Sequence, residues 1–165
     1  MRGYFIEIFN KEDLIMYINF KHGNKCFNLR VASVINNDDK ILLTGDDKFY
    51  TLPGGRVYFG ETTEHALNRS IYEELNIKIK IIKLLSINEN FFDYGKDDYH
   101  ELLFVYLCEL EKDFNDNIVF HKDEEKSFHF IPIKDILTLN FKPEFLLSDL
   151  KKVSKDITHN VNKKK

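Results

Sequence analysis

The sequence has no tryptophan, three prolines and two cysteines. Two cysteines cannot form the multiple disulfides of a small secreted scaffold or a four-cysteine metal site. Cys26 and Cys108 both lie in segments that predict β-strands, where a buried and unreactive thiol is expected. The chain also has no apolar run of about eighteen residues, and residues 1–5 do not resemble a signal peptide. We therefore expect a cytoplasmic protein that does not span a membrane.

Neither positive nor negative charge predominates in the sequence. The 24 Lys and Arg residues nearly balance the 27 Asp and Glu residues, which leaves a net charge of −3 at pH 7. A nucleic-acid duplex is not expected as a partner, because such binders carry a basic field. Phe, Tyr and Trp together make up 14% of the 165 residues, which is enough material for one aromatic and aliphatic core. The sequence leaves open whether the chain is a monomer or a homodimer.

Glycine is scarce too, yet two of the seven glycines are adjacent. Pro53 restricts one backbone dihedral, and Gly54 and Gly55 follow it directly. Glycine permits backbone that residues with a Cβ adopt less easily. The pattern predicts a tight turn at which main chain can approach a ligand.

A helix is predicted over residues 62–75. Thr62 or Thr63 can cap its first N–H groups, and Asn76 suits the left-handed conformation that often ends a helix. The helical period places an apolar stripe on one face and polar residues beside it. The stripe consists of Leu67, Ile71 and Leu75. We expect the helix to pack on a sheet with its charged side along a cleft.

Three carboxylates accompany this helix. Glu61 precedes it, and Glu73 and Glu74 are adjacent within it. Arg69 lies four residues before Glu73, a spacing at which the two can pair. Several oxygen ligands near one point favour a hard cation such as Mg²⁺ or Mn²⁺. The alternative is a surface helix with a solvated charged stripe.

These residues resemble the Nudix box, G-x5-E-x7-R-E-U-x-E-E-x-G-U, in which U is a bulky aliphatic residue. Seven of the nine defined positions agree: Gly55, Glu61, Arg69, Ile71, Glu73, Glu74 and Ile77. Asn76 replaces the glycine of the pattern. Ser70 replaces the glutamate that follows the box arginine, which leaves the identity of the general base open.

The resemblance implies a fold and an activity. The fold is the α/β Nudix sandwich, in which a mixed β-sheet lies between helices. The Nudix domain would cover residues 28–153, with residues 1–27 as a strand extension and residues 154–165 as a frayed basic tail. The activity would be that of a MutT-like pyrophosphohydrolase, a metal-dependent enzyme that cleaves the phosphoanhydride of a nucleoside diphosphate linked to another group.

The resemblance also implies roles for single residues. Glu74 and Glu73 would bind Mg²⁺ or Mn²⁺ together with the Gly55 carbonyl. Glu61 would be a direct or water-mediated ligand, and Arg69 would hold a box carboxylate in place. Some family members draw the general base from a late loop, where this chain has Glu124 and Glu125. We favour Glu124 as the catalytic base; the alternative is a solvated acidic loop.

The Ser70 substitution supports a second hypothesis. With one box carboxylate missing, the chain could be a nucleotide-binding or regulatory module with weak or no hydrolysis. Retention of Glu61, Arg69, Glu73 and Glu74 favours the enzyme. A substrate screen with Mg²⁺ and Mn²⁺ separates the two hypotheses.

Several strands are predicted around the box. A strand is predicted over residues 26–35, and residues 31–35 within it form a nearly continuous apolar run, which is typical of a central strand. Residues 77–90 and 101–110 predict two long strands. Residues 91–100 between them are rich in Phe, Tyr and Asp, and are predicted to form a substrate-binding lip whose aromatic rings stack on a base. The alternative is that Phe91 and Phe92 are packing residues. A last strand is predicted over residues 128–133.

Overall fold

The computed structural model describes residues 16–45, 48–111, 127–147, 150 and 155–164. No helix in these ranges is both long enough and apolar enough to cross a bilayer. The described strands are β1 (Asn19–His22), β2 (Lys25–Asn37), β3 (Lys40–Gly45), β4 (Tyr50–Thr51), β5 (Gly54–Arg56), β6 (Ile79–Tyr94), β7 (Asp97–Leu110), β8 (Ser127–Pro132) and β9 (Thr158–Asn162). The described helices are α1 (Thr63–Leu75), α2 (Ile133–Ile136) and a 3-10 helix (Glu144–Leu146).

The sheet is mixed. Its strand order is β4-β3-β2-β7-β6-β9, while β1 and β5 pair with β2, and β8 pairs with β3. The β2–β7 and β6–β9 pairs are parallel, and the other pairs are antiparallel. Residues 31–35 of β2 are all buried, which confirms the predicted central strand.

Helices cover both faces of the sheet. On one face, α1 buries its predicted apolar stripe, and each Leu or Ile removed from water in this way stabilises the fold by about 1.5–3 kcal/mol. This layer contains Leu67, Ile71 and Leu75 of α1 with Val31 of β2 and Tyr106 of β7. The other layer contains Ile136 of α2 and Leu146 of the 3-10 helix with Leu43 and Val105 of the sheet. The architecture is the three-layer α/β/α sandwich predicted from the sequence.

Both predicted ends of α1 are present. The Thr62 hydroxyl accepts a hydrogen bond from the His65 N–H at 3.2 Å, so it caps the first turn. Asn76 ends the helix in the left-handed conformation, with φ 53°, and its N–H donates to the Tyr72 carbonyl. The Thr63 and Tyr106 hydroxyls lie 2.6 Å apart, which ties the start of the helix to β7. The sheet therefore sets the position of the box helix.

The segment predicted as a substrate-binding lip, residues 91–100, forms the end of a hairpin and not a loop. Most of this segment continues β6 and β7 as a hairpin, with the turn at Gly95 in a left-handed conformation of φ 61°. The aromatic residues pair across the two strands: the rings of Phe92 and Tyr99 stack at 5.0 Å. Cross-strand aromatic pairs stabilise antiparallel strands. Strand pairing therefore accounts for part of the aromatic richness, while Phe92 and Tyr94 also line the cavity described below.

The expectation of a frayed tail is also corrected. Residues Thr158–Asn162 form β9, which pairs in parallel with β6 from Ser86 to Asn90. This strand lacks the apolar alternation that would have predicted it. Side-chain amides hold it instead, since Asn160 donates to Asn88 and Asn162 donates to Asn90, each at 2.8 Å. These four asparagines are called the amide row below.

Candidate active site

The two adjacent glycines lie in β5, not in the tight turn predicted from the sequence. β5 pairs with β2 so that Gly54 faces Ala32 and Gly55 faces Val31 in register. A Cβ at Gly54 would lie 2.1 Å from the Val31 carbonyl oxygen. Glycine is required here because main chain approaches main chain.

Ser70 explains the second glycine. A Cβ at Gly55 would lie 2.3 Å from the Ser70 hydroxyl oxygen. Ser70 is 5% exposed, so its side chain is enclosed between α1 and β5. Position 70 therefore packs the box helix against the glycine strand, and the small side chain fits that contact.

Arg69 joins the loop before α1 to the helix itself. Its Nε and Nη2 donate to the two carboxylate oxygens of Glu61 at 2.8 and 3.0 Å. Its Nη1 donates to Glu73 at 3.1 Å, the pairing that the four-residue spacing predicts. Its Nη2 also donates to the Arg56 carbonyl at 2.9 Å. This arrangement, called the arginine clamp below, fixes two carboxylates beside β5.

Tyr58 supports the clamp and was missed by the sequence analysis. Its ring lies under the Arg69 guanidinium, with 3.7 Å between Cζ and the ring centroid. Its N–H donates to Glu61 at 3.0 Å. Tyr17 packs on it at a ring distance of 4.8 Å. The sequence offers no signal for Tyr58 beyond its place in the box loop, because its contacts depend on the folded loop.

Electrostatics keep Glu61 ionised. Burial raises the pKa of Glu61, but the hydrogen bonds from Arg69 and the Tyr58 N–H, with the Arg69 charge, outweigh burial and lower it below its ordinary value. The Glu61 side chain is 14% exposed, so this stabilisation is only partly screened by solvent. The clamp therefore presents Glu61 as an oriented anion.

Glu73 and Glu74 differ in exposure. The Glu73 side chain is 49% exposed, and Glu74 is half-buried. Within the described ranges, no three His, Cys, Asp or Glu side chains converge closely enough to hold a metal ion by themselves. Glu61 and Glu73 are linked through Arg69 rather than directly. Glu124 and Glu125 lie outside the described residues.

A cavity of about 620 Å³ lies on the face of the sheet opposite α1. Arg30 lines it, and alternation along β2 places Arg30 on the face opposite Val31, which packs under the helix. Arg30 is in register with Arg56 of β5, so the cavity adjoins the glycine strand. Glu101 also lines it. The sequence shows no pattern that would have brought these residues together.

The glycine strand, the clamped carboxylates and α1 together contain most of the positions that resemble the Nudix box. Residues 27–153 match the family model of the NUDIX domain. The chain therefore belongs to the Nudix family. It is a Nudix-type pyrophosphohydrolase, and Nudix hydrolases generally use divalent metals.

Similar proteins agree with this assignment. The ADP-ribose pyrophosphatase of Methanocaldococcus jannaschii is 28% identical over 157 residues, which cover 90% of this chain and 85% of that protein. An ADP-ribose pyrophosphatase from Streptococcus suis has a similar fold, with TM-score 0.57, 18% identity and coverage of 82% of this chain and 98% of that chain. A NUDIX hydrolase from Nitrosomonas europaea gives TM-score 0.60, 20% identity and coverage of 75% and 86%.

Proposed function

We propose that this protein is a metal-dependent hydrolase of a nucleoside diphosphate linked to another group. The arginine clamp carries this proposal, because it fixes Glu61 and Glu73 as oriented anions beside the glycine strand. A nucleotide-binding surface alone has no chemical need for such carboxylates. The similar protein from Methanocaldococcus jannaschii is named for ADP-ribose, so ADP-ribose is the first substrate to test.

The reaction transfers a phosphoryl group to water. The water oxygen forms a bond to one phosphorus, and the bond from that phosphorus to the bridging oxygen breaks. The bridging oxygen leaves on the other phosphate, and a base accepts the proton from water. With ADP-ribose the products are AMP and ribose 5-phosphate.

The donor set fits Mg²⁺ or Mn²⁺. Mg²⁺ is commonly held by one or two carboxylates with waters and substrate phosphates, and it prefers oxygen ligands. Glu73, Glu74 and the Gly55 carbonyl offer such oxygens, and Glu61 would act directly or through water. A bound cation would neutralise the phosphate oxygens and so favour attack by water. Arg69 positions the carboxylates that surround it.

We propose Glu124 as the general base. Ser70 is neutral and enclosed against Gly55, so its hydroxyl is a poor proton acceptor. Glu124→Gln is expected to lower kcat by about 10²–10⁴-fold with KM unchanged. Glu125→Gln is the matched control, since it makes the same change at the next position. Equal loss in both variants would argue against the assignment to Glu124.

The same observation favours a second candidate function. Position 70 is a buried serine, so the box lacks the carboxylate that would follow its arginine. Such a chain could bind a nucleotide and hydrolyse it slowly or not at all. This candidate predicts measurable nucleotide affinity without turnover.

A substrate screen tests the proposal. ADP-ribose, nucleotide sugars and dinucleoside polyphosphates are incubated with the protein and Mg²⁺ or Mn²⁺, and released monoesters are converted to phosphate by a coupled phosphatase. We expect turnover of at least one diphosphate, and none in EDTA. Nucleotide binding without any turnover would support the binding module instead.

Metal binding is tested separately by calorimetry with Mn²⁺. Glu74→Gln is expected to weaken Mn²⁺ binding by at least about 10-fold, since loss of a residue that only supports a metal ligand already costs about 10–100-fold. Glu64→Gln is the matched control, because Glu64 is an exposed carboxylate in the first turn of the same helix. Unchanged Mn²⁺ affinity in both Glu73→Gln and Glu74→Gln would place the metal elsewhere.

A further inference from the structure

Four polar side chains form a series of contacts along the wall of the cavity opposite α1; only two of them, Asn90 and Asn162, belong to the amide row. Asn162 Nδ2 donates to the side-chain Oδ1 of Asn90 at 2.8 Å, and Asn90 Nδ2 donates to Glu101 Oε1 at 3.3 Å. Arg30 Nη1 lies 3.6 Å from the other Glu101 oxygen. These four side chains come from four strands, β9, β6, β7 and β2, and all four line the cavity.

Burial fixes the positions of these polar side chains. Asn90 is 5% exposed and Glu101 is 3% exposed. Removing a polar group from water costs free energy unless the group is paired, so each contact in this series restrains the side chains next to it. Asn162 is the last of the four, and its donor to Asn90 Oδ1, together with the Glu101 acceptor on Asn90 Nδ2, holds the Asn90 amide in one orientation.

Aromatic rings line the same cavity from two different elements. Phe92 comes from β6 and Phe145 from the 3-10 helix. Phe92 stacks on Tyr99 at 5.0 Å, so the sheet holds its ring in place. Aromatic rings next to fixed amides suit a flat molecule that stacks on its faces and forms hydrogen bonds along its edge.

The cavity is well placed for the organic part of a diphosphate substrate. Arg30 lines it and is in register with Arg56, which follows Gly55 in β5. Asn162, in contrast, lies beyond residues 27–153, which match the family model. The part of the wall that β9 supplies therefore lies outside the residues that match the family model.

We propose that the cavity binds the nucleobase of the substrate and that Asn162 is a specificity-determining residue. Asparagine amides pair with base edges through one acceptor and two donor hydrogens. Asn162 fixes which of these groups the Asn90 amide presents, and thereby selects among bases. The inference rests on the proposed nucleotide substrate, but not on hydrolysis.

The test measures binding of products, without metal or turnover. Calorimetry on the full chain gives the affinity for AMP, GMP, CMP, UMP and ribose 5-phosphate. The variants are Asn162→Ala and Asn160→Ala. Asn160 is a matched control, because it makes the same 2.8 Å amide contact from β9 but is not among the cavity-lining residues in the described part of the chain.

We expect wild type to prefer one nucleoside monophosphate and to bind ribose 5-phosphate more weakly. Asn162→Ala should weaken the preferred one by about tenfold, the effect of one lost hydrogen bond, and reduce the preference. Asn160→Ala should stay within about twofold of wild type, a difference well under one hydrogen bond. Phe92→Leu should weaken all four monophosphates to a similar degree.

Three outcomes would overturn the inference. Equal losses in Asn162→Ala and Asn160→Ala, with equal losses in melting temperature, would make β9 a structural strand only. Ribose 5-phosphate binding as tightly as the monophosphates would mean that the cavity does not bind a base. Unchanged monophosphate binding in Phe92→Leu would do the same. Selective monophosphate binding in a chain that hydrolyses nothing would support the inference and contradict the proposed hydrolase.

Discussion

The arginine clamp and the amide row hold polar side chains in place by different means. The clamp is charged, and its contacts join residues 4, 8 and 13 positions apart. The amide row is neutral, and its contacts between β6 and β9 join residues 72 positions apart. A sequence motif can encode the first kind, because its members are neighbours along the chain. The second kind depends on which strands the fold brings together.

The largest expected effect is at the glycine strand beneath the clamp. Gly54→Ala should lower the free energy of unfolding by about 3 kcal/mol, the upper end for overpacking, because its Cβ meets the Val31 main chain. Gly55→Ala should cost less, since it meets the Ser70 side chain. Urea unfolding measures both.

Ser70→Gly provides the control for this pair. It removes the side chain that a Cβ at Gly55 would meet, so the double variant should recover part of the loss. The same second change should not rescue Gly54→Ala. Rescue of both, or of neither, would contradict the contacts assigned to the two glycines.

The next effect tests the clamp directly. Arg69→Lys keeps the charge but loses the bidentate hydrogen bonds to Glu61. It should lower kcat/KM by about 10²-fold, the cost of displacing active-site groups by about 1 Å. All diphosphate substrates should lose activity equally, in contrast to variants of the amide row. Arg56→Lys is the control, because Arg56 contacts Arg69 through its main-chain carbonyl. A loss in Arg69→Lys that depends on the substrate would contradict the prediction that only the amide row affects specificity.

A third prediction separates the regions by pH. The pKa of Glu61 is lowered in the folded protein, so its contribution to stability is complete above the ordinary value of 4.5 and is lost as pH falls through the lowered pKa. The stability difference between wild type and Glu61→Gln should therefore shrink below about pH 4.5. Urea unfolding between pH 3.5 and 7 measures it. A difference that grows on acidification would have the wrong sign.

The amide row should behave differently in the same experiment. Asn160→Ala and Asn162→Ala should each lower the free energy of unfolding by about 1 kcal/mol, the net value of one hydrogen bond. Since amides do not titrate, these two differences should not change between pH 3.5 and 7. A clear pH dependence would mean that charged neighbours dominate the row.

The smallest expected effect is on the two cysteines. Burial raises the pKa of Cys108 to about 12, so its thiol stays protonated and unreactive at neutral pH. Cys26 is buried too. A thiol reagent should label neither in the native protein and both after unfolding. Rapid native labelling of Cys108 would mean that the layer under α1 opens readily.

The sequence predicted the box region well because its signals are local. Thr62 and Asn76 mark the ends of α1 by capping preferences that act within one turn. The pairing of Arg69 with Glu73 follows from helical geometry alone. The burial of residues 31–35 follows from a nearly continuous apolar run, interrupted only by Ser33. Each inference needs information from only a few neighbouring positions.

Predictions failed where distant segments meet. Phe92 and Tyr99 indicated a loop by composition, but they pair across a hairpin whose strands are longer than the apolar pattern. β9 could not be predicted from apolar alternation, which it lacks; it pairs with β6 and is held there by amide contacts. Tyr58, Arg30 and Asn90 acquire their roles through contacts that no spacing encodes. The base assignment to Glu124 stays a prediction.

Strand β9 also affects the behaviour of the chain in concentrated solution. β6 spans 16 residues, and without β9 its main-chain groups from Ser86 to Asn90 would lie at an open edge. Open edges of long strands pair with other chains and lead to aggregation. β9 covers this stretch with a five-residue strand that carries His159 and is followed by Lys163 and Lys164. A short strand followed by two lysines is a poor template for another chain, so this segment protects the sheet at β6 against edge-to-edge association.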